Sequence, residues 1–104
     1  MTNDRDLLER AARAAGIAVE WHVGCGDALA LQMPCTRLYW NPLNDDGDAL
    51  RLAVEFRIHL QPDDTHIWAT TLTETVIQSI GDDRLAATRR AIVRAAAALA
   101  NEPA

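Results

Sequence analysis

The chain predicts an α+β fold, with an antiparallel sheet of four to five short strands packed against three helices in the order αββαβββα. Three observations carry this reading. Apolar residues recur at helical spacing near both ends of the chain and once in its middle. Between them lie short segments that alternate with period two, each closed by a Gly, Pro or Asp turn. Strands and helices do not alternate regularly, which favours hairpins covered by helices over a parallel doubly wound sheet.

The first helix is expected over residues 4–15, with Asn3 as its cap. Leu7, Leu8, Ala11, Ala12, Ala14 and Ala15 share one side, and Arg5, Asp6, Glu9, Arg10 and Arg13 the other. Gly16 follows where helices commonly end in a left-handed residue. Ile17 to Val23 alternates as a strand, Gly24-Cys25-Gly26-Asp27 turns, and Ala28 to Met33 returns as a second strand. Pro34 and Pro42 break ladders and helices, so Pro34 to Leu43 reads as irregular.

Asp45 or Asp46 caps the second helix, residues 46–56, where acids also suit the positive end of the helix dipole. Its apolar arc, from Ala49 and Leu50 through Leu52, Ala53, Val54 and Phe56, marks it as the most buried helix. Arg57 to Gln61 reads as a strand, Pro62-Asp63-Asp64 as a turn, and Thr65 to Thr71 as the returning strand. In that strand His66, Trp68 and Thr70 share one face and Ile67 and Ala69 the other. Thr73 to Gln78 supplies a further β-branched strand. Gly81-Asp82-Asp83 opens the last helix, residues 83–100, with Leu85, Ile92, Ala95, Ala96 and Leu99 as its apolar stripe.

A length of 104 residues suits one domain, 1–104, able to bury a modest core without staples. The net charge of −5 disfavours a sequence-independent nucleic-acid binder, which needs a positive face for phosphates. All the basic residues are arginine. No apolar run approaches the roughly 20 residues of a membrane span. The polar, acidic start is unlike a signal peptide, so a cytoplasmic location is expected, with Cys25 and Cys35 as free thiols. The expected state is a monomer or weak homodimer.

Five groups of residues have the types that chemistry uses. Asn44-Asp45-Asp46-Gly47-Asp48 is acidic, but with Gly47 as the sixth position of a calcium loop, Pro42 stands first and Ala53 twelfth. The turn reads instead as a helix start. His22-x-x-Cys25 has a zinc spacing without its second half. Cys35, His59 and His66 are remote in sequence, so no metal and no cofactor are expected. Cys25 near His22 and Asp27 has the makings of a thiol nucleophile, but a two-glycine turn explains the segment, and no catalytic residue is assigned.

Among the aromatics, Trp21 and Trp68 are expected in the core, whereas Tyr39 and Trp40, in a loop, are candidates for a contact surface. The arginine face of the last helix, Arg84, Arg90 and Arg94, is the remaining binding candidate. Its alternatives are a solvated face, a nucleic-acid contact and a contact with an acidic protein.

The stretch Trp40-Asn41-Pro42-Leu43-x-Asp45-Asp46-Gly47-Asp48-Ala49-Leu50-Arg51-Leu52-Ala53-Val54 resembles a motif of small proteins of tailed phages and prophages of Gram-negative bacteria. Leu7 to Ile17 is similar to their opening, and Ala86 to Ala97 looks like their final helix. The resemblance implies a phage or prophage accessory protein acting inside a bacterial cell on a host or phage protein. It carries over no catalytic or binding residue. Non-enzymatic protein binding is therefore the leading expectation. Nucleic-acid binding through the arginine face and a metal-dependent or thiol enzyme are its alternatives. An acidic surface imitating nucleic acid would need the carboxylates of residues 45–48, 63–64 and 82–83 on one face.

Overall fold

The computed structural model describes residues 4–16, 20–21, 31–32 and 39–100. Among the described residues there are three helices, α1 (Asp4–Ala15), α2 (Asp46–Glu55) and α3 (Arg84–Leu99). Among the described residues the strands are β1 (Glu20–Trp21), β2 (Leu31–Gln32), β3 (Tyr39–Trp40), β4 (His59–Pro62), β5 (His66–Thr70) and β6 (Thr75–Ser79). The class is α+β with antiparallel pairing, as the sequence predicts. The described strands form two three-stranded sheets, β1-β2-β3 and β4-β5-β6, rather than one sheet of four to five strands. Tyr39 and Trp40, expected in an irregular stretch, pair with Gln32 and Leu31.

Helix ends follow local chemistry. Gly16 adopts φ +71° and its N–H reaches the Arg13 carbonyl at 3.2 Å, closing α1 as expected. Asp45 caps α2 by accepting the Asp48 N–H at 2.8 Å. Asp83 caps α3 by accepting the N–H groups of Leu85 and Ala86 at 3.0 and 3.1 Å. The end of α2 lacks a glycine. Ile58 N–H bonds Ala53 O at 2.9 Å, and Arg57 N–H bonds Val54 O at 3.3 Å. This is a Schellman pattern with Arg57 held at φ 52° where glycine is usual.

The core is centred on α3, not α2. Ala87, Ala91, Ile92, Val93, Ala95, Ala96 and Ala97 are all buried. The alanines among them let α1 come close with Leu7, Leu8, Ala11 and Ala12. Leu8 and Val93 are completely buried, contributing about 1.5–3 kcal/mol each by removal from water. The expectation that α2 is the most buried helix fails. Leu52 is buried, yet Leu50 is 62% and Val54 69% exposed. Short α2 packs on α3 through Ala49, Leu52 and Ala53, so the other side of its apolar arc meets water. Leu85, assigned to the stripe of α3, is likewise exposed in the first turn of the helix.

In the sheet β4-β5-β6, Leu60, Ala69 and Val76 lie directly opposite one another and face the core. Gln61, Trp68 and Ile77 form the neighbouring row on the other face. Pro62 belongs to β4 rather than to the turn alone, which an edge strand tolerates because no ladder N–H is required there. Helix α3 covers one face of this sheet. On the other, Trp68 is 39% and Ile77 46% exposed.

Candidate functional site

Trp68 is expected in the core because the chain has only one phenylalanine to help fill it. Strand alternation sends Ile67 and Ala69 inward instead, so the indole stands on the open face. It is not loose there. Its Nε1–H donates to Asp63 Oδ2 at 2.9 Å. Asp63 Oδ1 in turn accepts the N–H groups of Thr65 at 2.8 Å and His66 at 2.7 Å, and the Thr65 hydroxyl at 3.3 Å. The Asp63 N–H donates to the His66 carbonyl at 2.8 Å, closing the β4–β5 turn. The Thr65 N–H, then the indole and the His66 N–H, hold the Asp63 carboxyl down at about 2, because each bond favours the ionised form. Arg84 Nη1 donates to the Asp63 carbonyl at 3.1 Å and ties the turn to α3. A shallow hollow of about 320 Å³ opens beside the indole, lined by Gln61, Asp63 and Trp68.

The strand positions of this open face are His59, Gln61, His66, Trp68, Thr70, Thr75, Ile77 and Ser79. None is Asp, Glu, Lys or Arg, although 24% of the chain is charged. The Thr70 and Thr75 hydroxyls meet at 3.2 Å across the strands. The face thus has an apolar centre, polar flanks and one indole in a set orientation, with the Asp63 carboxylate of the adjoining turn beside it.

The arginines of α3 do not form one solvated face. Arg84 is used at the turn. Arg90 Nη2 bonds Asp4 Oδ1 at 2.8 Å, and Arg94 Nη1 bonds the Ile77 carbonyl at 3.1 Å and Gln78 Oε1 at 2.9 Å. Asp4 meets Arg90, while Leu7 and Arg10 share a groove with Arg94 and the last turn of α3. Helices α1 and α3 therefore run in the same direction. That parallel packing brings Arg10 beside Arg90 and Arg94, a grouping no spacing in sequence reveals. Arg89, also missed, links α3 to the turn before α2.

Of the aromatic contact pair, Trp40 is 3% exposed and belongs to the core, which corrects its assignment. Its position in β3, one residue before the turn that starts α2, points it inward. The side chain of Tyr39 lies outside the described residues, as does that of Trp21. His22, Cys25, Asp27 and Cys35, the heart of the metal and thiol readings, also lie outside them. His59 is exposed, as its place beside Gln61 predicts. His59 lies across from Thr70, four residues along β5 from His66, roughly 13 Å at strand spacing. His66 Nδ1 contacts the Thr65 hydroxyl at 2.8 Å. Among the described residues no three His, Cys, Asp or Glu side chains are grouped to hold a metal.

The acidic turns are used internally. Asp45 and Asp83 cap helices, Asp48 and Asp46 bind Arg51 and Arg89, and Asp63 orders its turn. The turn at Asp63 is legible in the sequence, since Asp side chains commonly bond the N–H two residues on, but the bond from Asp63 to the Trp68 indole is not. No described helix is long and apolar enough to cross a membrane. Compared with protein-family models, curated proteins and solved structures, the chain matches none.

Proposed function

We propose that this protein is a non-enzymatic protein-binding module, a phage or prophage accessory protein acting inside a bacterial cell. It engages a host or phage protein through the open face of β4-β5-β6. One observation carries the reading: Trp68 is exposed at the centre of a sheet face whose strand positions hold no Asp, Glu, Lys or Arg, and its indole is locked by the Asp63 carboxylate of the adjoining turn. Tryptophan is enriched among residues that dominate protein–protein binding, and interface centres are depleted of charge. An indole already held in place loses little rotamer freedom on docking, which favours affinity. Ile77, directly across the ladder, widens the apolar centre.

The nucleic-acid alternative has less support, because the net charge of −5 opposes binding a phosphate backbone, and Arg84 is tied to the β4–β5 turn while Arg90 and Arg94 line a separate groove. The test is affinity capture from a Gram-negative host lysate with the wild-type chain and with Trp68→Ser. A protein retained by the wild type and lost by the variant, with thermal stability of the variant preserved, is the expected result. Reproducible failure to retain any protein, or equal retention by both chains, overturns the reading.

A further inference from the structure

The geometry points to a second binding site, away from the Trp68 face: the groove between α1, α3 and β6 binds the anionic group, phosphate or carboxylate, of a small ligand with an apolar body. The groove measures about 440 Å³, a volume suited to a small molecule. Arg10, Arg90 and Arg94 line it, and among the described residues no Asp or Glu does. In a chain of net charge −5, three guanidinium groups around one groove are a local reversal of sign.

Their charges are unequally compensated. Arg90 is paired with Asp4, an exposed carboxylate outside the groove lining. Arg94 is held by neutral acceptors alone, the Ile77 carbonyl and the Gln78 amide oxygen. Arg10 makes no ion pair or hydrogen bond with a described residue. Two positive charges in the groove therefore lack a counter-charge from the described residues. Burying or crowding like charges costs free energy that an incoming anion removes.

The donors are also pre-positioned. Arg90 commits only Nη2 and Arg94 only Nη1 to described partners, so their other nitrogens remain available. Each guanidinium is anchored by a different element, α1 for Arg90 and β6 for Arg94. A guanidinium offers paired N–H donors that match carboxylate and phosphate oxygens, and a fixed one loses less freedom in binding them. Leu7 and Val76 supply apolar wall beside the arginines, which is why the ligand has an apolar body and not a bare ion's hydration shell.

The test titrates the ¹⁵N-labelled protein with phenyl phosphate, benzoate and neutral benzyl alcohol while following the arginine Nε–H signals by NMR. The expected result is saturable movement of the Arg10 and Arg94 signals with at least one anion and none with the alcohol. Whichever anion binds more tightly identifies the native group as phosphate or carboxylate. Affinity should fall roughly tenfold to a hundredfold in Arg94→Gln and in Arg10→Gln, the range for one charge-assisted hydrogen bond. Arg10→Gln removes no described contact, so it keeps the test valid if Arg94→Gln disturbs the fold. No saturable shift with either anion, equal binding of the alcohol, or unchanged affinity in Arg10→Gln overturns the proposal.

Discussion

The Asp48 carboxylate accepts the backbone N–H of Asn41 at 2.9 Å, reaching back from the first turn of α2 across the proline turn that precedes it. Its other oxygen accepts Arg51 Nη2 at 3.0 Å. Asn41 itself organises the turn, since its carbonyl accepts the N–H groups of Asn44 and Asp45 and its side chain accepts that of Leu43. The stretch from Trp40 through α2 is thus a folding device joining β3 to α2.

Asp48→Ala leaves the buried Asn41 N–H without its partner. The expected loss is about 1–3 kcal/mol. For a domain of this size each kcal/mol lowers Tm by about 4–8 °C. Asp48→Asn, which keeps an acceptor, should lose less. Calorimetry showing the alanine variant as stable as the wild type would contradict this role.

Arg89 makes two bonds of different worth. Its Nε donates to the Leu43 carbonyl at 2.8 Å, and its Nη1 to Asp46 Oδ1 at 2.6 Å. Asp46 is 68% exposed whereas Arg89 is 16% exposed, so solvent screens the ion pair more than the carbonyl bond. Arg89→Ala should cost about 1–3 kcal/mol, and Asp46→Ala less than about 1 kcal/mol. Urea denaturation of both variants decides the order. Equal losses would show that the ion pair dominates.

Arg57 holds φ 52°, where a side chain is strained and glycine is not. Its side chain is exposed, so no packing is lost on its removal. Arg57→Gly should stabilise the protein by about 0.5–1 kcal/mol, the relief of strain less the added freedom of the unfolded chain. A lowered urea midpoint would refute it.

Asp63 has its carboxyl depressed to about 2 from the usual 3.8. A depressed acid stabilises the folded state above its unfolded value and loses that contribution as pH falls through its folded value. The Trp68 indole should therefore stay bonded down to about pH 4 and be released progressively toward pH 2. The indole N–H resonance, followed by NMR from pH 6 downward, should titrate with a midpoint near 2. In Asp63→Asn that transition should vanish. A midpoint near 4 in the wild-type chain would mean that the bonds to Asp63 do not persist in solution.

Several features were legible locally. The span of α1, the Gly16 ending, the Asp45 cap and the alternation of β5 each depend on residues within a turn or two. Arg57 shows the limit of such signals: without a glycine to mark it, the Schellman ending of α2 was invisible and Arg57 read as strand. Local pattern likewise sorted Trp68 from Ile67 and Ala69 without saying which set meets the core.

By itself, then, the sequence determined the helix spans to within a residue, the Asp45 cap and the two faces of β5, because short-range geometry and hydrogen bonding govern them. Only the tertiary structure decided which faces are covered. The alanines of α3 let α1 and the inner sheet face approach closely, so α3 took the centre, α2 kept Leu50 and Val54 in water, and Trp68 was left outside. The same packing assembled Arg10, Arg90 and Arg94 from two helices that run in the same direction. That arrangement depends on contacts between distant segments, which compete for one small core and leave no periodic trace in the chain.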